Sequence, residues 1–215
     1  MKTIILDFDG TLADTRRLIV RTMQAVIREL GLPERGDSEC AAMIGLPLKQ
    51  TFTDLIPMTD EMGSLCEQTY RRIFFENVNK KPVPVFPHVL ETIQRMAADG
   101  LVLTIASSRS RSSLMHFVEN MHIAEHIGYI LGADDVSRAK PDPEPVLLTL
   151  RHFSASPADA LVVGDTTFDI EMGRRAGCRT CGVTYGNHTR EQLQAAGANY
   201  IIDDFAELYP IAHDL

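Results

Sequence analysis

Residues 1–15 read MKTIILDFDGTLADT. Ile4, Ile5 and Leu6 are residues of the kind that fill a buried strand, and they run straight into two acids, Asp7 and Asp9. Side chains two positions apart on an extended chain share a face. Like charges held that close repel each other, and burying either one unpaired is costly. A strand that ends in this way calls for a positive partner at its carboxyl end. Gly10 follows, and glycine permits a sharp turn there.

The same pattern recurs along the chain. TIILDFD (3–9), LVLTIASS (101–108), ALVVGD (160–165) and CGVTY (181–185) are short and rich in Val, Ile or Leu, as buried parallel strands are. YILGAD (129–134) and YIID (200–203) are two further candidates. Helical stripes lie between them, with Leu18, Ile19, Met23, Val26, Ile27 and Leu30 in 16–30 and Val146, Leu147, Leu150 and Phe153 in 144–153. Alternating strands and helices predict an α/β fold, a doubly wound parallel sheet.

Residues 14–83 break the alternation and read as helices only. Ser38 is placed to cap a short helix, and Thr59-Asp60-Glu61 to open a longer one reaching about Val78. Pro82, Pro84 and Pro87 punctuate the return. The expected organisation is an α/β core of residues 1–13 and 84–215 with a helical domain, 14–83, inserted after the first strand.

In open α/β sheets ligands bind at the carboxyl ends of the strands. Asp7, Asp9, Ser107, Ser108 and Asp165 all fall there. Asp169 stands four residues beyond Asp165, and a helix beginning near Thr167 would point it back toward the strand end. Three or four carboxylates at one edge suit a hard divalent cation, Mg²⁺ rather than zinc. Such a cation would also attract a phosphate, and the helices after Ser107 and Asp165 would aim free N–H groups at the same place. Lys140, stiffened by Pro141 and Pro143, is a positive group able to balance a phosphate or a nucleophilic carboxylate.

Other classes fit poorly. The chain has 215 residues and a formal net charge of −8, which argues against nucleic acid as a partner. No apolar run approaches the ~20 residues of a membrane span, and the early acids do not suit a signal peptide, so a cytoplasmic protein is expected. Cys178 and Cys181 form a CxxC without a second pair, and a reduced, structural role is expected for all four cysteines. His122 and His126 are spaced like a metal pair but lack a third ligand nearby, so a surface or turn role is favoured. There is no phosphate-binding P-loop and no dinucleotide fingerprint.

Taken together, DFDGTLADT, IASS, AKPDPEP and VVGDTTFDIEMGRRAG resemble, in order and spacing, the four motifs of the haloacid dehalogenase superfamily of phosphohydrolases. The helical insertion resembles that family's small cap. The resemblance implies that Asp7 is a nucleophile forming an aspartyl-phosphate. It implies that Asp9 protonates the leaving alcohol and then deprotonates water. Mg²⁺ would be held by Asp7, the Asp9 carbonyl and Asp165, with Asp169 in support. Ser107, Lys140 and backbone amides around Asp9, Gly10, Thr11 and Ser108 would hold the phosphoryl group. Asp9 also favours phosphate esters over halides, since dehalogenases of this fold lack the second acid.

IGLPLKQTF (44–52) resembles the cap loop of phosphoglycolate phosphatase and pyrophosphatase-type members. The β-phosphoglucomutase branch has histidine where Ile19 stands and arginine where Leu48 stands, which weakens a mutase reading. Many relatives have glycine where His88 stands, so His88 either shapes the site or is neutral in a turn. The implied activity is that of a phosphatase of small phosphorylated metabolites such as phosphoglycolate. Pyrophosphatase, sugar-phosphate phosphatase and phosphomutase remain as alternatives, and a phospho-accepting signalling domain as the rival of another class. Leu48, Lys49, Arg71, Arg72 and Arg109 are candidates for choosing the leaving group. Oligomeric state is left open.

Overall fold

The structure, a computed structural model, describes residues 2–78 and 83–215. Pro82 and the last residues of the expected insertion lie outside the described residues. All six expected strands are present: β1 (Thr3–Leu6), β2 (Val102–Ala106), β3 (Ile127–Leu131), β4 (Ala160–Gly164), β5 (Arg179–Val183) and β6 (Tyr200–Ile202). They form one parallel sheet in the order β3-β2-β1-β4-β5-β6. The order reverses between β1 and β4, and a crevice opens at the carboxyl ends of strands where such a reversal occurs. Asp7 follows β1 and Asp165 follows β4, so the two acids flank that crevice.

Alternation along the central strands builds a core on each face. Ile4, Leu6, Leu161 and Val163 join one apolar cluster, while Ile5 and Val162 join the other. Fully burying a side chain such as Ile4, Ile5 or Leu6 is worth about 1.5–3 kcal/mol relative to exposure. The helices α7 (Glu144–Phe153) and α8 (Thr167–Arg175) supply Val146, Leu150 and Met172 to the second cluster. On the first face, α5 (Val89–Ala98), α6 (Arg111–Asn120) and α10 (Leu208–His213) contribute Ile93, Phe117 and Leu208, and α9 (Arg190–Ala195) lies between β5 and β6 in the chain.

Between β1 and α5 the described residues form four helices and no strand: α1 (Arg16–Glu29), α2 (Asp37–Ala41), α3 (Leu48–Leu55) and α4 (Asp60–Val78). The predicted stripe of α1 is buried at Ile19, Met23, Val26 and Ile27. Thr59 stands before α4, as expected, and its hydroxyl accepts the Met62 N–H. Ser38 does not cap α2. The helix starts at Asp37 with Gly36 at the cap, where Glu39 reaches back to accept the Gly36 N–H at 2.9 Å. The chain enters and leaves this helical stretch side by side, since Ala13 bridges Val85, the Asp14 N–H donates to Pro84 and the Phe86 N–H donates to Leu12. Phe52, Tyr70 and Phe74 extend the first face's apolar cluster without a break.

All four cysteines are buried and free, in line with the structural reading. Cys178 and Cys181 belong to opposite faces of the sheet, which keeps the CxxC from pairing. Burial pushes their thiols up to about 11 and about 12. His122 sits in a turn after α6 with φ +55°, and His126 in a single short turn before β3. No described helix is long and apolar enough to cross a membrane.

Candidate active site

The parallel pairing of β1 with β4 continues one residue beyond β1, where the Asp7 N–H donates to the Val163 carbonyl at 2.8 Å. The chain then turns. The Leu12 and Ala13 N–H groups both donate to the Phe8 carbonyl, and Gly10 adopts φ +85°. A Cβ on Gly10 would fall 2.2 Å from Asp165 Oδ2, so both its conformation and its neighbour require glycine. Thr166 caps α8, and Asp169 at its third position folds back onto it. Asp169 Oδ2 accepts the Thr166 N–H at 3.1 Å and the Thr166 hydroxyl at 2.6 Å. This is the back-pointing Asp169 that its spacing from Asp165 predicts.

Lys140 arrives from the segment before α7 and is 4% exposed. Its Nζ donates to Asp7 Oδ1 and to Asp169 Oδ1, each at 2.6 Å. Asp165, 0% exposed, accepts the backbone N–H and the side-chain amide of Asn187 on Oδ2, each at 2.7 Å. Oxygens of Asp7, Asp165 and Asp169 lie within 4.8 Å of one another.

Three buried carboxylates therefore cluster around one ammonium, which contacts two of them, Asp7 and Asp169. Burial pushes Asp7 up to about 7; Lys140 pulls the other way, and the charges of Asp169 and Asp9 add to the rise. Burial also holds Asp165 well above the usual carboxylate range, with Asp7 and Asp169 adding and the Asn187 hydrogen bonds opposing. Burial alone would depress Lys140, but Asp169 and Asp7 outweigh it and keep the ammonium above its ordinary value. An excess of buried negative charge presented through carboxylate oxygens is the donor set of a hard divalent cation, so the residues fit Mg²⁺.

Asp9 stands apart from this cluster. Arg109 holds its carboxylate with two hydrogen bonds, Nη2 to Oδ1 at 2.6 Å and Nε to Oδ2 at 3.0 Å. The guanidinium also donates to the Ser113 hydroxyl and packs over Phe74 and Phe117, at 4.6 and 4.9 Å from the ring centres. Burial works against its charge, yet Asp9 holds Arg109 above its ordinary value. The Ser108 hydroxyl donates to the Gly45 carbonyl at 2.6 Å, tying the strand end to the helical insertion. Between them lies a cavity of about 760 Å³, its mouth included. Asp7, Asp9 and residues 107–110 form its floor; α1, residues 43–48 and α4 form its walls.

The sequence profile described as "Haloacid dehalogenase-like hydrolase" matches residues 4–183, from β1 through the insertion to β5. The chain belongs to this family. It is 36% identical to the probable phosphatase IndB of Dickeya dadantii, covering 99% of this chain and 94% of that protein. It is 30% identical to the pyrophosphatase PpaX of Oceanobacillus iheyensis, covering 100% and 98%. It is 28% identical to the phosphoglycolate phosphatase of Salmonella typhimurium, covering 98% and 92%. The crystal structure of a hydrolase from Pseudomonas syringae shares the fold with a TM-score of 0.89 at 22% identity, covering 100% of this chain and 99% of that one.

Within this haloacid dehalogenase-like chain, several residues expected at the site stand elsewhere. Gly10 and Thr11 do not present amides to a ligand: the turn uses them, Gly10 N–H to Ala13 at 2.9 Å and Thr11 N–H to Phe8 at 3.3 Å. The amides of Asp9 and Ser108 have no hydrogen-bond partner among the described residues. Leu48, Arg71 and Arg109 line the cavity, but Lys49 and Arg72 do not. Lys49 pairs with Asp60, and Arg72 pairs with Glu29 of α1 and Glu76 one turn along, on the exposed side of α4. His88 does not line the cavity either. It takes the left-handed backbone with φ +61°, the conformation glycine supplies freely, and its ring contacts Asp204 at 2.8 Å.

Asn187, Tyr185 and His188 went unread in the sequence. The Tyr185 hydroxyl donates to the Thr11 carbonyl, and His188 Nδ1 accepts the Thr167 N–H at the start of α8. Burial lowers the pKa of His188, in keeping with a neutral acceptor. All three stand just past the end of β5, where the rule already applied to β1, β2 and β4 would have found them. Asn187→Ala would remove both the side-chain amide bond and the order of the loop around Asp165. We expect it to cost about 1–3 kcal/mol of unfolding free energy, measured by urea denaturation.

Proposed function

We propose that this protein is a Mg²⁺-dependent phosphatase of small phosphate monoesters that works through an aspartyl-phosphate on Asp7. The observation that carries the reading is the grouping of Asp7, Lys140, Asp169 and Asp165 at the sheet's switch point, beneath a cavity walled by the inserted helices. Residues 14–83 act as a cap, and 1–13 with 84–215 as the catalytic core. The paired entry and exit at Ala13 and Val85 support that division.

Asp7 attacks phosphorus through a carboxylate oxygen, and the bond to the leaving alcohol breaks. Lys140 keeps Asp7 ionised and correctly placed. The Ser107 hydroxyl and the amides of Asp9 and Ser108 receive the phosphoryl oxygens. Asp9 gives a proton to the departing alkoxide, then takes one from the water that attacks the acyl phosphate, which releases phosphate and restores Asp7. Asp9 can carry that proton only after Arg109 releases it, and a bound phosphate dianion competes for the same guanidinium. Mg²⁺, held by Asp7, Asp165, the Asp9 carbonyl and Asp169, would neutralise charge on the transferring group.

Release of p-nitrophenol from its phosphate ester should require added Mg²⁺, stop with a chelator and continue for many turnovers per protein. A single phosphate accepted per molecule would instead mark a signalling domain. Stability gives a second readout. Asp7 ionises near pH 7 in the folded chain but near 3.8 in the unfolded one, so folding takes up a proton between these values. This group's contribution to metal-free stability therefore falls as pH rises from about 4 to about 7. Mg²⁺ competes with that proton, so its stabilising effect in urea titrations should be larger at pH 8 than at pH 5.

A further inference from the structure

The cavity walls specify the leaving group. We infer that this site accepts monoesters whose leaving alcohol is uncharged and apolar, and disfavours those carrying a carboxylate; the inference rests on the phosphatase reading. Two cations line the cavity among the described residues outside the Lys140 cluster, Arg71 and Arg109. Arg109 is held by both oxygens of Asp9. Arg71 is held by Glu67, with Nε at 3.2 Å and Nη2 at 2.6 Å from the same carboxylate oxygen. Arg71 thus meets the cavity already neutralised, and Arg109, once it lets Asp9 go, is taken by the phosphate dianion itself. A carboxylate entering there would give up its water for no new partner.

The remaining wall is apolar and partly aromatic. Ile19 and Met23 come from α1, Met43 and Ile44 from the connection before α3, and Phe74 and Phe75 from α4. Phe75, also on this wall, is 40% exposed and leaves apolar surface uncovered. The Tyr70 hydroxyl adds no charge, since burial raises its pKa further. Pliable methionines beside aromatic rings suit an extended hydrocarbon or a flat ring.

The test compares hexyl phosphate with 5-carboxypentyl phosphate, whose leaving alcohols have closely similar acidity, in Mg²⁺ buffer with p-nitrophenyl phosphate as reference. We expect kcat/KM to favour the hexyl ester at least tenfold, and to rise along ethyl, butyl and hexyl phosphate by up to about fourfold per methylene. Glu67→Gln, which leaves Arg71 without a charged partner, should narrow the hexyl-to-carboxypentyl ratio severalfold. Turnover of the aryl ester with equal or greater rates for the carboxylate ester would overturn this inference and leave the phosphatase reading standing. An unchanged ratio in Glu67→Gln would overturn it as well. Turnover of none of the esters would overturn both.

Discussion

Asp7→Asn will lower turnover of every phosphate monoester by at least about a thousandfold while leaving the fold intact. An amide is a poor nucleophile, and no other described carboxylate can take the place of Asp7. Asp165 is bound by Asn187, Asp169 is bound by Thr166 and Lys140, and Asp9 stands outside the cluster. The substitution also removes one negative charge from a buried cluster in which burial already lifts Asp7 to about 7. The metal-free variant should therefore melt at or above the temperature of the parent protein. The increase in melting temperature on adding Mg²⁺ should shrink, because one ligand charge is gone. Retained turnover would remove Asp7 from the nucleophile's role. A collapsed melting temperature would show instead that the carboxylate is needed to hold Lys140.

The parts of this site that the sequence made legible are those set by local geometry. Asp7 and Asp9 announce themselves because an apolar strand runs into acids, and Asp169 because its spacing from Asp165 fits the third position of a helix. Lys140 is different. It lies 133 residues from Asp7 in the chain, and no periodicity connects the two; its place was implied by the resemblance of AKPDPEP to a family motif. The inserted segment was legible as helices but not in its side-chain pairings. Lys49 and Arg72 seemed free only because their partners, Asp60 and Glu29, come from other turns of the chain. Arg109 was one cation among several until the fold brought it against Asp9, 100 residues away. Likewise, Gly10 was legible as a turn residue, yet a turn consumes amides, its own and that of Thr11, and those of Asp9 and Ser108 are the ones left over.

Lys140→Met is expected to have the other large effect, on stability as well as rate. Methionine keeps the length of an apolar stem and removes the one ammonium that faces Asp7 and Asp169. Breaking a buried ion pair by deleting one partner costs about 3–5 kcal/mol, because the remaining charge is left uncompensated. Here two carboxylates lose the same partner while a third, Asp165, stays close by. In the folded variant the ionised form of Asp7 becomes still less favourable, so its pKa moves further above its ordinary value. That fixes the sign of the pH dependence. The deficit relative to the parent should be greatest near pH 8, where the carboxylates are ionised, and should shrink as pH falls and they take up protons. Mg²⁺ should restore more stability to the variant than to the parent, since the cation then supplies positive charge that Lys140 no longer does. Turnover should drop for all esters alike, because Lys140 touches Asp7, the proposed nucleophile, and not the cavity wall. Urea unfolding in chelator at two pH values, then with Mg²⁺, separates these effects. A deficit equal at both pH values would mean that the lysine contributes packing rather than charge.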